Sequence, residues 1–416
     1  MIDRRRLAGP LLLVSIAAVS CGSDGADTGG VAGVSAGGAA AGPAAGAAGS
    51  QSTAGSGNSA STSAGAPSVA GASNPSYAGA AVGGAGMAGA PSGGGTSSGG
   101  GPASGGKSSS GDPGTAGDGE IDVGPTYTAS PDGKLKSGAP AGFSVSFTLT
   151  SAQSAIFKGD DFTPPLTFSR QIKVFVPQQY VDGTESPFMV SSDGFYGGLQ
   201  TVVQNLADDP SPDHRVPPLV IIGIQNGPDV HPNSERSLEY DTVSDRYWRF
   251  VTKEVIPAVL ANTALKAKFP NFKLTNDPNG RGGYGCSSGG PAVLGLAWFG
   301  DFNRVFSFSG SLVALQPTTE HPNGAWEYPS MVTAAAARPD LRVFLEVGEH
   351  DNGYTSDEAS HRNWVIANKN MAAALIAKGN HTRFVFAKGA GHCDDAARNQ
   401  VMPEGLIWLW RGYTAK

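Results

Sequence analysis

The sequence predicts an α/β protein in which one domain of three layers is built around a mixed, mostly parallel sheet. Three observations indicate this class. Short runs of β-branched and aromatic residues recur from Gly119 onwards, longer helix-like stretches separate the later runs, and the runs at 219–224 and 343–347 are apolar on both faces. Strands in the middle of a parallel sheet have this last property because helices cover both of their faces.

The first twenty residues predict an export signal. Three arginines at 4–6 precede an apolar run at 11–19 that is too short to span a bilayer. Residues 18–21 resemble a bacterial lipobox, which would make Cys21 the lipidated first residue of the mature protein and predicts an outer-membrane or cell-surface lipoprotein. The alternative is a plain secretory signal with a chance cysteine, which predicts a periplasmic or secreted protein.

Residues 21–118 are expected to form a disordered tether. Between Gly22 and Asp118 the chain is almost entirely Gly, Ala, Ser, Thr and Pro, and such a segment cannot bury enough apolar surface to offset the entropy of ordering it. The folded domain is therefore expected at 119–416, which is long enough for one large core. The net charge is −6 and no basic cluster follows the signal, so nucleic acid is not an expected partner.

The elements of this domain change in character along the chain. Strands are predicted, in order, at 142–149, 170–177, 187–194, 217–224, 303–310, 341–348 and 382–389. Helices are predicted at 244–261, 289–298, 359–378 and 397–411. The beginning is rich in hairpins and the later part alternates strand with helix, a pattern typical of a mixed sheet. Reactive groups of such sheets lie in the loops at the carboxyl ends of the strands.

One of these loops contains a candidate nucleophile. Residues 285–289, Gly-Cys-Ser-Ser-Gly, fit the G-x-S-x-G pattern, in which the glycines let a strand and a helix approach while the serine is held exposed. Ser287 has a glycine two residues away on each side, whereas Ser288 does not. A helix-like stretch follows at once, so the Ser288 N–H is an expected oxyanion donor. Because the chain has 60 glycines, the same pattern also fits an ordinary glycine-rich loop.

A serine nucleophile needs a base, and His392 is the candidate. In the α/β-hydrolase arrangement the order along the chain is serine, acid, histidine. His392 lies beyond the apolar run 382–387 and before the last predicted helix, in a loop where a strand ends. His381 precedes the same strand and belongs to the opposite edge of the sheet, and His361 lies in a helix-like stretch.

The base in turn needs an acid that fixes its tautomer. The preceding strand, 341–348, should lead to it, and Glu349 and Asp351 follow directly. We expect Asp351 to be the acid, with Glu349 as the alternative and Asp357 as a more distant one. Most acidic residues in loops are simply solvated, and this interpretation fits all three residues as well.

Between about 165 and 415 the chain resembles the esterase family of α/β-hydrolases, which contains enterochelin esterases, esterase D, some feruloyl and acetyl-xylan esterases and mycolyltransferases. The resemblance rests on RQIKVFVPQQY, SSDG, RSLEY, RFVTKEVIPAV, GYGCSSGG, VGEHDN, GHCD and IWLWRGY. It implies an α/β-hydrolase fold with Ser287 as nucleophile, Asp351 as acid and His392 as base. It also implies a second oxyanion amide in the loop after the third strand, which we assign to Gly194.

The resemblance has two further implications. Arg236 and Glu239 match an Arg…Glu feature of the family, which either braces a loop or contacts substrate. The Cys-Ser…His-Cys arrangement is similar to that of tannases and some fungal-type feruloyl esterases, where a disulfide ties the two catalytic loops. It implies a Cys286–Cys393 disulfide, and the alternative is a pair of buried free thiols.

The expected function is that of an exported serine esterase, which hydrolyses a small-molecule or polymer-linked carboxylic ester through an acyl-enzyme. No Cys/His/Asp spacing indicates a metal site, and we expect no cofactor. Membrane contact is expected only through a lipid anchor at Cys21. Two alternatives stay open: an acyltransferase with the same triad, and a non-catalytic surface binding module on a hydrolase scaffold.

Overall fold

The computed structural model describes residues 114–138, 141–208, 215–230 and 233–414. The predicted export signal, Cys21 and the predicted tether as far as residue 113 lie outside the described residues. Within these ranges no helix combines the length and the apolar character needed to cross a membrane.

Thirteen strands are present in the described part of the chain. They are β1 (Gly119–Val123), β2 (Phe143–Thr150), β3 (Ser169–Val176), β4 (Glu185–Ser186), β5 (Phe188–Ser192), β6 (Val220–Ile224), β7 (Asp229–Val230), β8 (Asn233–Ser234), β9 (Lys273–Leu274), β10 (Arg281–Cys286), β11 (Arg304–Phe308), β12 (Arg342–Gly348) and β13 (His381–Ala387). Nine of them form one sheet in the order β1-β13-β12-β11-β10-β5-β6-β3-β2. Only β3 runs against its neighbours in this sheet.

The helices cover both faces of this sheet. They are α1 (Leu199–Ala207), α2 (Glu235–Tyr240), α3 (Arg246–Phe250), α4 (Ile256–Ala261), α5 (Thr263–Lys268), α6 (Gly289–Trp298), α7 (Tyr328–Ala334), α8 (Trp364–Ala377) and α9 (Asp395–Trp410). A π-helical turn at Val251–Val255 joins α3 to α4. Short 3₁₀ turns lie at Pro131–Gly133, Ser151–Gln153, Tyr196–Gly198, Pro278–Gly280, Gly324–Glu327 and Glu358–Ser360.

Two apolar clusters, one on each face of the sheet, form the core. On one face α1 and α9 pack on the sheet, with Leu409 and Phe306 among the buried residues. On the other face α2 to α8 pack on it, with Val293 and Val343 among the buried residues. This is the predicted three-layer architecture with a mixed, mostly parallel sheet, and the fold class is confirmed. Burial of these apolar side chains is the main force that stabilises the domain.

The apolar strands were predictable, but two strands of the sheet were not. β10 has the sequence RGGYGC, and glycine is depleted in strands because it has no side chain to pack. The glycines are needed where α6 crosses the strand: a Cβ at Gly283 would lie 2.7 Å from Val293 Cβ, and one at Gly285 would clash with the Gly289 carbonyl. The other strand, β1, is a short edge strand whose residues are mostly exposed, so its sequence has no clear apolar pattern.

The residue directly before β1 already contacts the rest of the domain. Asp118 lies 2.7 Å from His381 Nδ1 through Oδ2 and accepts a hydrogen bond from Trp408 Nε1 at 3.1 Å through Oδ1. Because β1 runs parallel to β13 and Gly119 pairs with Arg383, the chain enters the sheet at the amino ends of the parallel strands. We call this side the amino edge and the opposite side the carboxyl edge.

Candidate active site

Ser287 occupies a sharp turn at the carboxyl edge, between β10 and α6. Its φ is 57°, a conformation that costs free energy for a residue with a side chain. Backbone hydrogen bonds hold it there: Ser287 N–H donates to the Phe308 carbonyl at 3.1 Å, and Gly290 N–H donates to the Ser287 carbonyl at 2.9 Å. A Cβ at Gly289 would clash with Ser192 Oγ, so the glycine of the pattern is required by packing.

His392 lies between Ser287 and Asp351. Its Nε2 is 2.9 Å from Ser287 Oγ, and its Nδ1 is 2.6 Å from Asp351 Oδ1. The Asp351 side chain is fully buried, and Asn352 N–H donates to its Oδ1 at 2.7 Å. The three expected residues therefore form one hydrogen-bonded line, although they are far apart in the sequence. In this arrangement the imidazole can take the serine proton while the carboxylate fixes its tautomer.

The alternative acids have other partners. Glu349 Oε2 accepts a hydrogen bond from Gly389 N–H at 2.8 Å, and Asp357 Oδ1 accepts one from Ser360 N–H at 3.0 Å at the start of a 3₁₀ turn. Neither carboxylate is the partner of His392 Nδ1.

The two rejected histidines also lie elsewhere. His381 opens β13 at the amino edge, as expected from its position before the strand. His361 follows a 3₁₀ turn and precedes α8 rather than lying in a helix, and its ring stacks on Trp326 with 4.9 Å between centroids. The predicted helix 359–378 begins only at Trp364, because the Asn363 side chain caps it.

Cys286 and Cys393 form a disulfide with 6.4 Å between their Cα atoms. This pairing is the one that the resemblance implies. Cys286 ends β10 directly before the serine, and Cys393 follows the histidine directly. Cys393 N–H also donates to Ser309 Oγ at 3.0 Å. The covalent link therefore joins the two loops that carry Ser287 and His392.

The structure gives the two expected oxyanion amides different environments. Ser288 precedes α6, so its N–H lies at the positive end of that helix. The Gly194 N–H instead donates to the Ile224 carbonyl at 2.9 Å and is engaged within the fold. The assignment of Gly194 is corrected for this reason. The Asp193 N–H is engaged too, because it donates to Tyr240 Oη at 3.1 Å.

A comparison with protein families decides where the chain belongs. Residues 166–396, more than half of the chain, match the model of the family described as "Putative esterase". The chain belongs to this esterase family. A search of curated proteins found no match.

Several solved structures are similar to this family member. The enterobactin esterase FES from Shigella flexneri is 22% identical, with 58% of this chain and 56% of that chain covered and a TM-score of 0.41. A ferulic acid esterase is 17% identical, with 66% and 99% covered and a TM-score of 0.45. The BES protein from Bacillus cereus is 17% identical, with 65% and 95% covered and a TM-score of 0.45. The chain thus spans about half the length of the enterobactin esterase.

In this esterase-family chain, helix α2 braces the loop after β5. Arg236 makes two hydrogen bonds to Asp193, at 2.8 Å and 3.0 Å, and its guanidinium lies 5.4 Å from the centre of the Tyr240 ring. Bidentate Arg–carboxylate pairs hold their partners in a fixed geometry. Both side chains of the pair are about one fifth exposed. Arg236, flagged by the resemblance, therefore holds a loop beside the candidate site.

Glu239, the other residue of the Arg…Glu feature, is buried. It forms an ion pair with Arg170 at 2.7 Å and accepts hydrogen bonds from Gly227 N–H. One turn earlier, the Glu235 side chain is also buried, and neither of its oxygens has a hydrogen-bond partner among the described residues. Burial raises the pKa of Glu235 to about 7, and the charge of Glu239 adds to this rise.

Sequence reasoning missed two residues that contact the line of three. Ser311, in the loop after β11, places its Oγ 3.4 Å from Ser287 Oγ. Trp364, the first residue of α8, lies edge-on to the His392 ring with 6.2 Å between centroids. Ser311 follows a predicted strand end, which is the one signal that was available for it. Among the described residues, no group of three or more His, Cys, Asp or Glu side chains could hold a metal ion.

Proposed function

We propose that this chain is a serine esterase that cleaves carboxylic esters through an acyl-enzyme on Ser287. The observation that carries the proposal is the pair of contacts of His392, at 2.9 Å to Ser287 Oγ and at 2.6 Å to Asp351 Oδ1. A serine hydroxyl becomes a strong nucleophile only when a base removes its proton as it attacks, and this geometry supplies that base.

The first half of the reaction acylates the enzyme. Ser287 Oγ attacks the ester carbonyl carbon while its proton passes to His392 Nε2, and Asp351 stabilises the imidazolium that forms. The carbonyl oxygen becomes an oxyanion next to the N-terminus of α6, where the Ser288 N–H is the first donor. The bond to the alcohol oxygen then breaks, and His392 gives that oxygen the proton.

The second half releases the acid. Water loses a proton to His392 Nε2 and attacks the acyl carbon, and Ser287 Oγ leaves with the proton that His392 returns. The second oxyanion donor in our proposal is the N–H of Phe195, which replaces Gly194. It is the next amide along the braced loop after those of Asp193 and Gly194, which have partners of their own.

The Cys286–Cys393 disulfide supports a catalytic role for this edge. Transition-state stabilisation requires that nucleophile and base keep their alignment within a fraction of an ångström. A covalent link one residue from each of them limits how far the loops of Ser287 and His392 can separate.

Export is the second part of the proposal. A signal at 1–20 and lipidation at Cys21 would attach the protein to a membrane through its N-terminal segment. The chain enters the described domain at the amino edge, while Ser287 lies at the carboxyl edge. Labelling with a palmitate analogue tests lipidation: label on the wild type but not on Cys21→Ser supports it, and an unlabelled wild type contradicts it.

The catalytic part is tested with Ser287→Ala on a short p-nitrophenyl ester. We expect kcat to fall by about 10⁵-fold or more, since loss of a serine nucleophile removes the covalent route. Ser330→Ala, the same change at an exposed site on α7, is the control and should keep full activity. Unchanged hydrolysis by Ser287→Ala would contradict the proposal and favour a binding module.

A panel of acetyl, feruloyl, siderophore and polyester substrates then identifies the ester. Product analysis with an added acceptor alcohol separates hydrolysis from acyl transfer. We expect free acid as the main product, and a dominant transfer product would show that the chain is an acyltransferase.

A further inference from the structure

A second hydroxyl group lies next to the proposed nucleophile. Ser311 Oγ is 3.4 Å from Ser287 Oγ, and the Ser311 side chain is buried. The two residues are also joined through the backbone, because Ser311 N–H donates to the Ser287 carbonyl at 2.9 Å. The steps of acyl transfer described above do not use this hydroxyl.

Trp364 determines the direction in which the Ser311 hydroxyl donates. Trp364 Nε1 lies 3.0 Å from Ser311 Oγ. An indole N–H can only donate, so Ser311 Oγ is the acceptor of this bond and its own hydrogen remains for another partner. The other side-chain contact of Ser311 Oγ among the described residues is with Ser287 Oγ. The hydrogen of Ser311 is therefore available for donation to the nucleophilic oxygen.

Ser287 Oγ is able to accept this bond. Its own hydrogen is directed at His392 Nε2, 2.9 Å away, which leaves the lone pairs of the oxygen for a donor. The order of donors is then Trp364 to Ser311, Ser311 to Ser287, and Ser287 to His392. Each hydroxyl in this order donates once and accepts once.

We propose that Ser311 is a further catalytic residue, which donates a hydrogen bond to Ser287 Oγ when that atom carries negative charge, and that Trp364 positions it. The inference rests on the proposed function, in which Ser287 is the nucleophile. Charge develops on Oγ twice: when its proton moves to His392 before the bond to the acyl carbon is complete, and when that bond breaks in deacylation. Ser311 keeps its proton in both steps, so it adds no proton transfer to the reaction.

The distance indicates when the bond acts. A separation of 3.4 Å is longer than the usual hydroxyl–hydroxyl distance of about 2.8 Å, so the bond is weak in the resting enzyme. Hydrogen bonds to an ionised oxygen are shorter and stronger. A contact that tightens only as charge appears stabilises the transition state more than the ground state, and such a contact raises kcat.

The hydrogen bond of the Trp364 N–H can be tested separately from the packing of the Trp364 ring. Its ring lies at 85° to the His392 ring, and its N–H contacts Ser311. Trp364→Phe keeps an aromatic ring beside the histidine and removes only the N–H and part of the ring. Ser311→Ala removes the donor, and Ser311→Thr retains a hydroxyl.

The experiment measures burst kinetics of p-nitrophenyl acetate hydrolysis, which separates the acylation rate from the deacylation rate. We expect Ser311→Ala to lower both rates about tenfold with KM unchanged, because the lost bond acts only on the charged oxygen. Ser311→Thr should recover most of the rate. Trp364→Phe should lower both rates by less than Ser311→Ala does.

The double variant distinguishes positioning from packing. If Trp364 acts through the Ser311 hydroxyl, Ser311→Ala with Trp364→Phe should be no slower than Ser311→Ala alone. Additive losses, or unchanged burst and steady-state rates in Ser311→Ala, would overturn the inference. Should thermal unfolding show that Ser311→Ala does not fold, Trp364→Phe decides, and wild-type rates in that variant would contradict the proposal. Ser287→Ala in the same assay tests the proposed function independently.

Discussion

A histidine–aspartate pair lies near each end of strand β13, and the histidine at the carboxyl edge also contacts Ser287. At the amino edge His381 Nδ1 is 2.7 Å from Asp118, and beyond the carboxyl end His392 Nδ1 is 2.6 Å from Asp351. The two distances are almost equal. Among the described residues, the carboxyl-edge pair is distinguished by the contact between the other nitrogen of His392 and Ser287 Oγ, at 2.9 Å.

The surroundings of the two pairs differ in the same way. Asp351 is fully buried, and a disulfide follows its histidine directly, whereas the side chain of Asp118 is about one fifth exposed. The second oxygen of Asp118 accepts a hydrogen bond from Trp408, which ties the start of the domain to α9. The amino-edge pair thus fastens the entering chain, while in the proposed mechanism the carboxyl-edge pair orients the base. Substitutions at the two edges should separate these roles.

The largest effect is expected when the aspartate of the carboxyl-edge pair is replaced by asparagine. Asp351→Asn should lower kcat by about 10⁴-fold, since an amide stabilises the wrong tautomer of His392 and no longer stabilises its cation. Asp118→Asn, the matched change at the amino edge, should leave kcat unchanged and lower the free energy of unfolding by about 1 kcal/mol. Steady-state kinetics and urea unfolding of both variants measure this. Equal loss of kcat in both variants would contradict the division of roles.

The second expected effect concerns the disulfide, which only the carboxyl edge has. It closes a separation of 107 residues, so Cys286→Ala with Cys393→Ala should lower the free energy of unfolding by about 4–5 kcal/mol in the chain-entropy model. We also expect kcat to fall while KM changes little, because Ser287 and His392 lose their tie. Urea unfolding and kinetics of the double variant measure both quantities. Full kcat in a destabilised variant would show that the disulfide acts on stability alone.

The smallest effect is expected from a buried carboxylate that, unlike the two aspartates, has no histidine partner. Both histidine-bound aspartates have partners, whereas buried Glu235 has no hydrogen-bond partner on its oxygens among the described residues, and its pKa is raised to about 7. Because this pKa is raised in the folded state, the contribution of Glu235 to the free energy of unfolding is largest below about pH 4.5 and falls by up to about 3 kcal/mol as the pH rises to about 7.

Glu235→Gln removes this titration. Its stability relative to the wild type should increase between pH 4.5 and pH 7 and then stay constant. Urea unfolding at several pH values gives the comparison, with Glu358→Gln as an exposed control. Parallel pH profiles of the wild type and Glu235→Gln would show that burial does not raise this pKa.

Much of the fold could be predicted because the apolar strands carry their own signal. The runs around β6 and β12 are recognisable since both faces of these strands are buried. β10 gave no such signal, because its glycines are selected by the close approach of α6 rather than by strand propensity. Helix α2 was not predicted either, because its six residues are too few for a clear period.

The line of three residues could be proposed from order and spacing, since each of them follows a strand that the sequence predicts or a glycine pattern. The assignment of Gly194 failed because the availability of an amide depends on its tertiary partner, here the Ile224 carbonyl. Ser311 and Trp364 could not be connected from the sequence, because only the packing of α8 against the loop after β11 brings them together.

The central claim is that Ser287 is the nucleophile, and covalent labelling tests it most directly. A p-nitrophenyl alkylphosphonate should inactivate the enzyme by transferring its phosphonyl group to Ser287 Oγ, with release of one equivalent of p-nitrophenol. Peptide mapping by mass spectrometry should then find one adduct, on the peptide that contains Ser287, and none on Ser287→Ala. An adduct on another residue, or an unlabelled protein that remains active on esters, would contradict the account.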